Sequence, residues 1–98
     1  MSAGDVNVYA LICPLDKKIK YIGVSANLER RLKQHISTRR HDANKPKGEW
    51  ITKLVDLGLK PELSTVEAVH YGNYTKRESF WINYCFDNGI ELLNIRRS

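Results

Sequence analysis

The chain has 98 residues, 42% of them hydrophobic, which is enough for one modest core and too little for two. Its 16 Lys+Arg against 11 Asp+Glu give a formal charge of +5, which suits a polyanionic partner without requiring one. Met1 to Asp5 is small and polar and no apolar stretch approaches the roughly 18 residues of a membrane span. Signal peptide and anchor are therefore not expected, and the chain reads as one cytoplasmic domain over residues 1–98.

Val6 to Ile12 alternate, with Val6, Val8, Ala10 and Ile12 on one face and Asn7, Tyr9 and Leu11 on the other, the period of a strand. Pro14 to Lys17 predicts a turn and Ile19 to Val24 a second strand. The loop between them is too short for a crossover helix, so an antiparallel hairpin is expected. Asn27 is a good N-cap, and Leu28, Leu32, His35 and Ile36 recur at helical spacing, predicting a helix to about Ser37. Arg31, three residues after Leu28, falls on or beside the face that packs on the sheet, whereas Arg30 and Lys33 point to solvent.

Arg39 to Lys47, with Asn44, Pro46 and Gly48 close by, predicts a loop. A second helix follows from about Glu49 to Leu57, stopped by Gly58. Leu63 to Val69 favours a third strand, closed by Gly72 and Asn73. Thr75 with Glu78 has the capping-box spacing and opens a third helix, Lys76 to about Asp87, ended by Asn88 and Gly89. Leu92 to Ile95 is a short extended tail. The order implies an α/β sandwich: a small, three-stranded, largely antiparallel sheet flanked by three helices.

Two cysteines, Cys13 and Cys85, without metal-site spacing read as reduced, buried side chains. Arg30, Arg31, Lys33, Arg39, Arg40, Lys45 and Lys47 lie close together with Asp42 as their one acid. They form either a solvated face or a surface that tracks phosphates. Tyr9 or Tyr21 alone is a core aromatic of a small sheet. The two share a face only if the hairpin pairs residues whose numbers sum to an even value. Glu78 lies with Trp81, Ile82 and Cys85 at i, i+3, i+4 and i+7, a buried side where a carboxylate needs a partner, yet the capping box accounts for it without chemistry.

Tyr21-Ile22-Gly23 on the second strand, preceded by Val8-Tyr9-Ala10 on the first, resembles the pair of motifs that name the GIY-YIG nucleases. Asn27 to His35 is similar to the family's arginine-bearing helix, Arg77 to Ile82 resembles its glutamate-bearing helix, and Leu93-Asn94-Ile95 its terminal asparagine motif. The first motif reads Val-Tyr-Ala where the family name has Gly-Ile-Tyr, so Tyr9 anchors it. The resemblance spans Val8 to Ile95.

This resemblance implies a DNA endonuclease that hydrolyses phosphodiester bonds to 5′-phosphate and 3′-hydroxyl ends with one Mg²⁺ (or Mn²⁺) ion. Tyr9 and Tyr21 would position or deprotonate the attacking water. A phenol of ordinary pKa near 10 needs help from the metal or from Arg31 to do so. Arg31 would offset the extra negative charge of the transition state. Glu78 would be the sole protein ligand of the metal, whose other ligands are water and phosphate. Gly23 and Asn94 would support the site's backbone.

His41 stands between the catalytic set and the loop surface. Lys20, Arg30, Lys33, His35, Arg39, Arg40, Lys45 and Lys47 are the expected contacts to duplex or branched DNA. Without an added specificity domain, selectivity would come from short loops, a homodimer or an accessory protein. The rival expectation is a non-catalytic module that binds nucleic acid or a protein partner on the same fold.

Overall fold

A computed structural model describes residues 6–41, 45–69 and 72–94. Met1 to Asp5, Asp42, Asn44, His70 and Ile95 lie outside the described residues. The elements run β1 (Val6–Ile12), β2 (Ile19–Ser25), α1 (Leu28–Ser37), α2 (Pro46–Asp56), β3 (Glu62–Val69) and α3 (Tyr74–Asp87). The strands form one open sheet in the order β2-β1-β3, antiparallel throughout, so β1 is central.

Register decides what each face carries. Tyr9 stands opposite Gly23 and Leu11 opposite Tyr21, pairs with even sums, so both tyrosines fall on one face. Val8, Ala10 and Ile22 fall on the other, where they pack with Val69, Ile82, Cys85 and Leu92 beneath α3. The Tyr9 face meets α1, whose His35 is buried against it, and α2 packs beside α1 with Ile51 and Leu54 buried. Along β3 the pairing slips by one residue: Val8 faces Glu67 and Tyr9 faces Thr65, leaving Val66 as the extra residue of a bulge.

Asn27 caps α1 as expected, its side chain accepting from the Arg30 amide at 3.0 Å. Two helix starts differ from expectation. α2 opens at Pro46, not Glu49, because a proline at N1 gives up no hydrogen bond and its fixed φ suits the first turn. Lys47 is thereby a helical residue instead of a loop residue. α3 opens at Tyr74 with Asn73 at the N-cap, so Thr75 lies inside the helix and cannot cap it. Gly72, at φ 99, finishes the turn early enough for the chain to be helical two residues sooner. The capping-box explanation of Glu78 therefore fails.

The tail seals one sheet edge. The Asn94 side chain accepts from the Ile22 amide at 3.1 Å and donates to the Ile22 carbonyl at 2.9 Å, while the Leu93 amide donates to Lys20 O at 2.6 Å. Backbone groups of β2 that face away from β1 are satisfied in this way. Cys13 and Cys85 are free and buried. Among the described residues no helix is long and apolar enough to cross a membrane.

Candidate active site

Tyr9 is 1% exposed and His35 6%, and their Oη and Nε2 atoms are 2.7 Å apart. Three local causes bring them together. The central strand sends Tyr9 towards α1; opposite it, Gly23 has no side chain, so the phenol ring lies across the glycine; and His35 occupies the sheet-facing stripe of α1. The imidazole stands edge-on to Tyr9 and also to Tyr21, with ring centroids 6.0 and 5.5 Å away. The Lys47 ammonium, on the first turn of α2, lies 5.0 Å from the Tyr21 ring centre.

Arg31 is one turn before His35 on the same side of α1. Its Nη1 donates to Gln34 Oε1 at 2.9 Å, while its Nε is buried with no hydrogen-bond partner. The guanidinium also lies close enough to the Tyr9 phenol to pull on its proton affinity, so a fixed positive charge stands inside the cluster. Burial pushes the Tyr9 phenol well above its ordinary value of 10; Tyr21 and Glu78 push the same way, and Arg31 pulls back. Tyr9 is therefore a neutral phenol at physiological pH.

Glu78 projects from α3 into the field of the same cluster. Burial raises its carboxyl above 4.5 and Arg31 partly offsets this. No hydrogen bond reaches this carboxylate from the described residues, and among them no group of three His, Cys, Asp or Glu is gathered to hold a metal. A partly desolvated carboxylate that no hydrogen bond claims fits Mg²⁺, which keeps most of its waters and accepts one or two carboxylates. It does not fit a structural zinc centre, which needs four protein ligands.

A family model of the GIY-YIG catalytic domain matches residues 6–85. The chain belongs to the GIY-YIG family. No curated protein and no solved structure matches it. The matched segment contains Tyr9, Tyr21, Gly23, Arg31, His35 and Glu78, and its nuclease chemistry agrees in kind with a cluster of phenols, imidazole, guanidinium and carboxylate. Asn94, which grips Ile22 between Tyr21 and Gly23, lies beyond the matched segment.

The other expected residues of this GIY-YIG chain are scattered. His35, expected on the apolar stripe of α1 and as a contact to phosphate or a proton carrier, is buried between the two tyrosines beside Leu32 and Ile36 on that stripe. His41 is exposed on the turn after α1, its amide donating to Thr38 O at 3.0 Å. Arg30, Lys33 and Arg40 are exposed; Lys33 faces Glu29 at 3.7 Å, and Lys45 is exposed at the N-cap of α2. Arg39 folds back to donate to Ile36 O at 2.7 Å. Lys20 lies 3.8 Å from Asp16, on the strand position next to Tyr21 and hence on the opposite face.

Proposed function

We propose that the protein is a metal-dependent DNA endonuclease that hydrolyses the P–O3′ bond, leaving 5′-phosphate and 3′-hydroxyl ends. The observation that carries this is the buried Tyr9–His35 hydrogen bond at 2.7 Å, set beside the Arg31 guanidinium and the Glu78 carboxylate that Arg31 acts on.

With the imidazole proton on Nδ1, Tyr9 donates to His35 Nε2. Because burial keeps the phenol protonated, it cannot wait as a phenolate for water to arrive. It takes a proton from the attacking water only as its own passes to His35, the side chain whose ordinary pKa lies nearest neutrality. The water oxygen bonds to phosphorus, the P–O3′ bond breaks, and the 3′ oxygen leaves with a proton from solvent. Arg31 would bind the non-bridging oxygens with its guanidinium charge, where negative charge grows in the transition state.

Tyr21 confines His35 from the other side and carries Lys47 over its ring, so a positive charge stands beside the cluster. Glu78 would hold a divalent ion, which supplies Lewis-acid charge to the phosphate. Arg30, Lys33, Arg40 and Lys45 are exposed around α1 and the start of α2 and suit the flanking backbone.

Nicking of supercoiled plasmid tests the proposal. Cleavage with Mg²⁺ or Mn²⁺ that stops in excess chelator is expected. Equal cleavage with and without chelator would reject the metal. No cleavage of duplex, branched or single-stranded DNA under either condition would leave a binding module.

A further inference from the structure

Glu67 of β3 points to the α3 side of the sheet, because the bulge places it opposite Val8. Its carboxylate accepts from Arg77 Nε at 2.9 and 3.2 Å and from Trp81 Nε1 at 2.8 Å. Arg77 and Trp81 are the residues one before and three after Glu78. At about 100° per residue both fall on the same side of it, roughly 100° and 60° away and about 40° from each other, so one carboxylate reaches both. Hydrogen bonds from Trp81 and Arg77 hold the Glu67 carboxyl below its ordinary range, so the clamp is ionic.

Apart from this clamp, α3 is seated by Ile82 and Cys85 in the core, with Trp81 and Phe86 packed against it. Its start has no side-chain cap and no acidic residue in the first turn, and Ile82 and Cys85 are its only fully buried residues among those described. A side-chain tip lies about 5–6 Å from a helix axis, so a rotation of about 10° moves it by ~1 Å. Displacement of that size at a reacting centre is worth roughly 10²-fold in rate. Glu67 is also the strand partner of Val8, next to Tyr9, so the clamp ties the helix of Glu78 to the strand segment that carries the phenol.

We infer that Glu67 is a positioning residue: by gripping Arg77 and Trp81 it sets the rotation of α3 and with it the place of the Glu78 carboxylate relative to Tyr9 and Arg31. This rests on Glu78 as the holder of the ion. The test is paramagnetic line broadening by Mn²⁺ without DNA, alongside turnover, in Glu67→Ala, Glu67→Gln, Trp81→Phe and the control Glu62→Gln, all below their melting temperatures. In the wild type, Mn²⁺ should broaden amides around Glu78 together with the Tyr9 ring.

Glu67→Ala should keep the first and weaken the second, because paramagnetic relaxation falls with the sixth power of distance and a shift of ~1 Å reduces it without removing it. It should also lower kcat about 10–100-fold with the KM for DNA changed less than about twofold. Glu67→Gln, whose amide oxygen still accepts from Trp81, should recover most of both readouts. Trp81→Phe should fall between, and Glu62→Gln should match the wild type. Tyr9 broadening and kcat unchanged in Glu67→Ala, no recovery in Glu67→Gln, or an equal loss in Glu62→Gln would overturn the inference. So would absence of broadening near Glu78 in the wild type. Broadening with the expected variant pattern but no DNA cleavage would overturn the nuclease proposal and leave this inference standing.

Discussion

Gly23 and Tyr9 stand opposite each other across the β1–β2 ladder, and a Cβ on residue 23 would lie 2.6 Å from the Tyr9 hydroxyl oxygen and 2.7 Å from Cζ. Both distances are below any ordinary carbon contact. The glycine is therefore a steric requirement of the phenol's position, since it is the absence of a side chain that lets the ring lie flat towards His35.

Gly23→Ala should leave the protein folded but push the Tyr9 ring away from His35. Overpacking of this kind costs about 1–3 kcal/mol, and loss of near-attack geometry should lower kcat by roughly 10²-fold. The check is melting temperature and single-turnover cleavage in the same preparation. Wild-type turnover in Gly23→Ala would mean that Tyr9 takes no part in the reaction.

Arg31 and Arg30 are neighbours of equal charge in different environments, one with a buried Nε and the other exposed. Both Arg31→Ala and Arg30→Ala should weaken DNA binding slightly. Only Arg31→Ala should reduce turnover at saturating DNA, by about 10²–10³-fold, the size expected for one donor to transition-state charge. Comparable losses in the two would place the reacting phosphate somewhere other than the Tyr9–His35 pocket.

Glu78→Gln gives a stability test with a definite sign. Burial raises the folded carboxyl above 4.5, so the folded chain holds this proton more tightly than the unfolded chain. Stability is then lost as pH rises from 4.5 through the raised folded value. Glutamine has no such titration. In chelator at pH 7 the variant should melt at or slightly above the wild type, by about 1–4 °C, and the gap should close as pH falls below 4.5. A lower melting temperature at pH 7 would show that the ionised carboxylate stabilises the fold.

The strands were legible because alternation in Val6 to Ile12 leaves one reading; whether the hairpin register was even-summed, and so whether Tyr9 and Tyr21 share a face, was left open by the sequence and is decided by the ladder. Arg31 was legible by its spacing from Leu28. The helix starts were less so: Pro46 reads equally as loop or N1, and Thr75-x-x-Glu78 matches a capping box that the turn at Gly72 and Asn73 pre-empts by starting α3 at Tyr74. His35 was placed on the packing face, yet its hydrogen bond to Tyr9 was not read, since a contact between residues 26 apart depends on how the helix lies on the sheet. Glu67 had no sequence signal. Its orientation depends on a one-residue bulge in β3, which no local pattern announces.

Asn94 has a practical meaning for anyone who would graft this catalytic unit onto a DNA-reading module. A cut at Cys85, where the family match stops, would remove the amide that grips both backbone groups of Ile22 and the Leu93 amide that caps the Lys20 carbonyl. The outer edge of β2 would be left bare, inviting pairing with another chain and loosening the strand that carries Tyr21 and Gly23. The smallest portable version of this GIY-YIG domain extends at least to Asn94, and a fusion joint belongs after it.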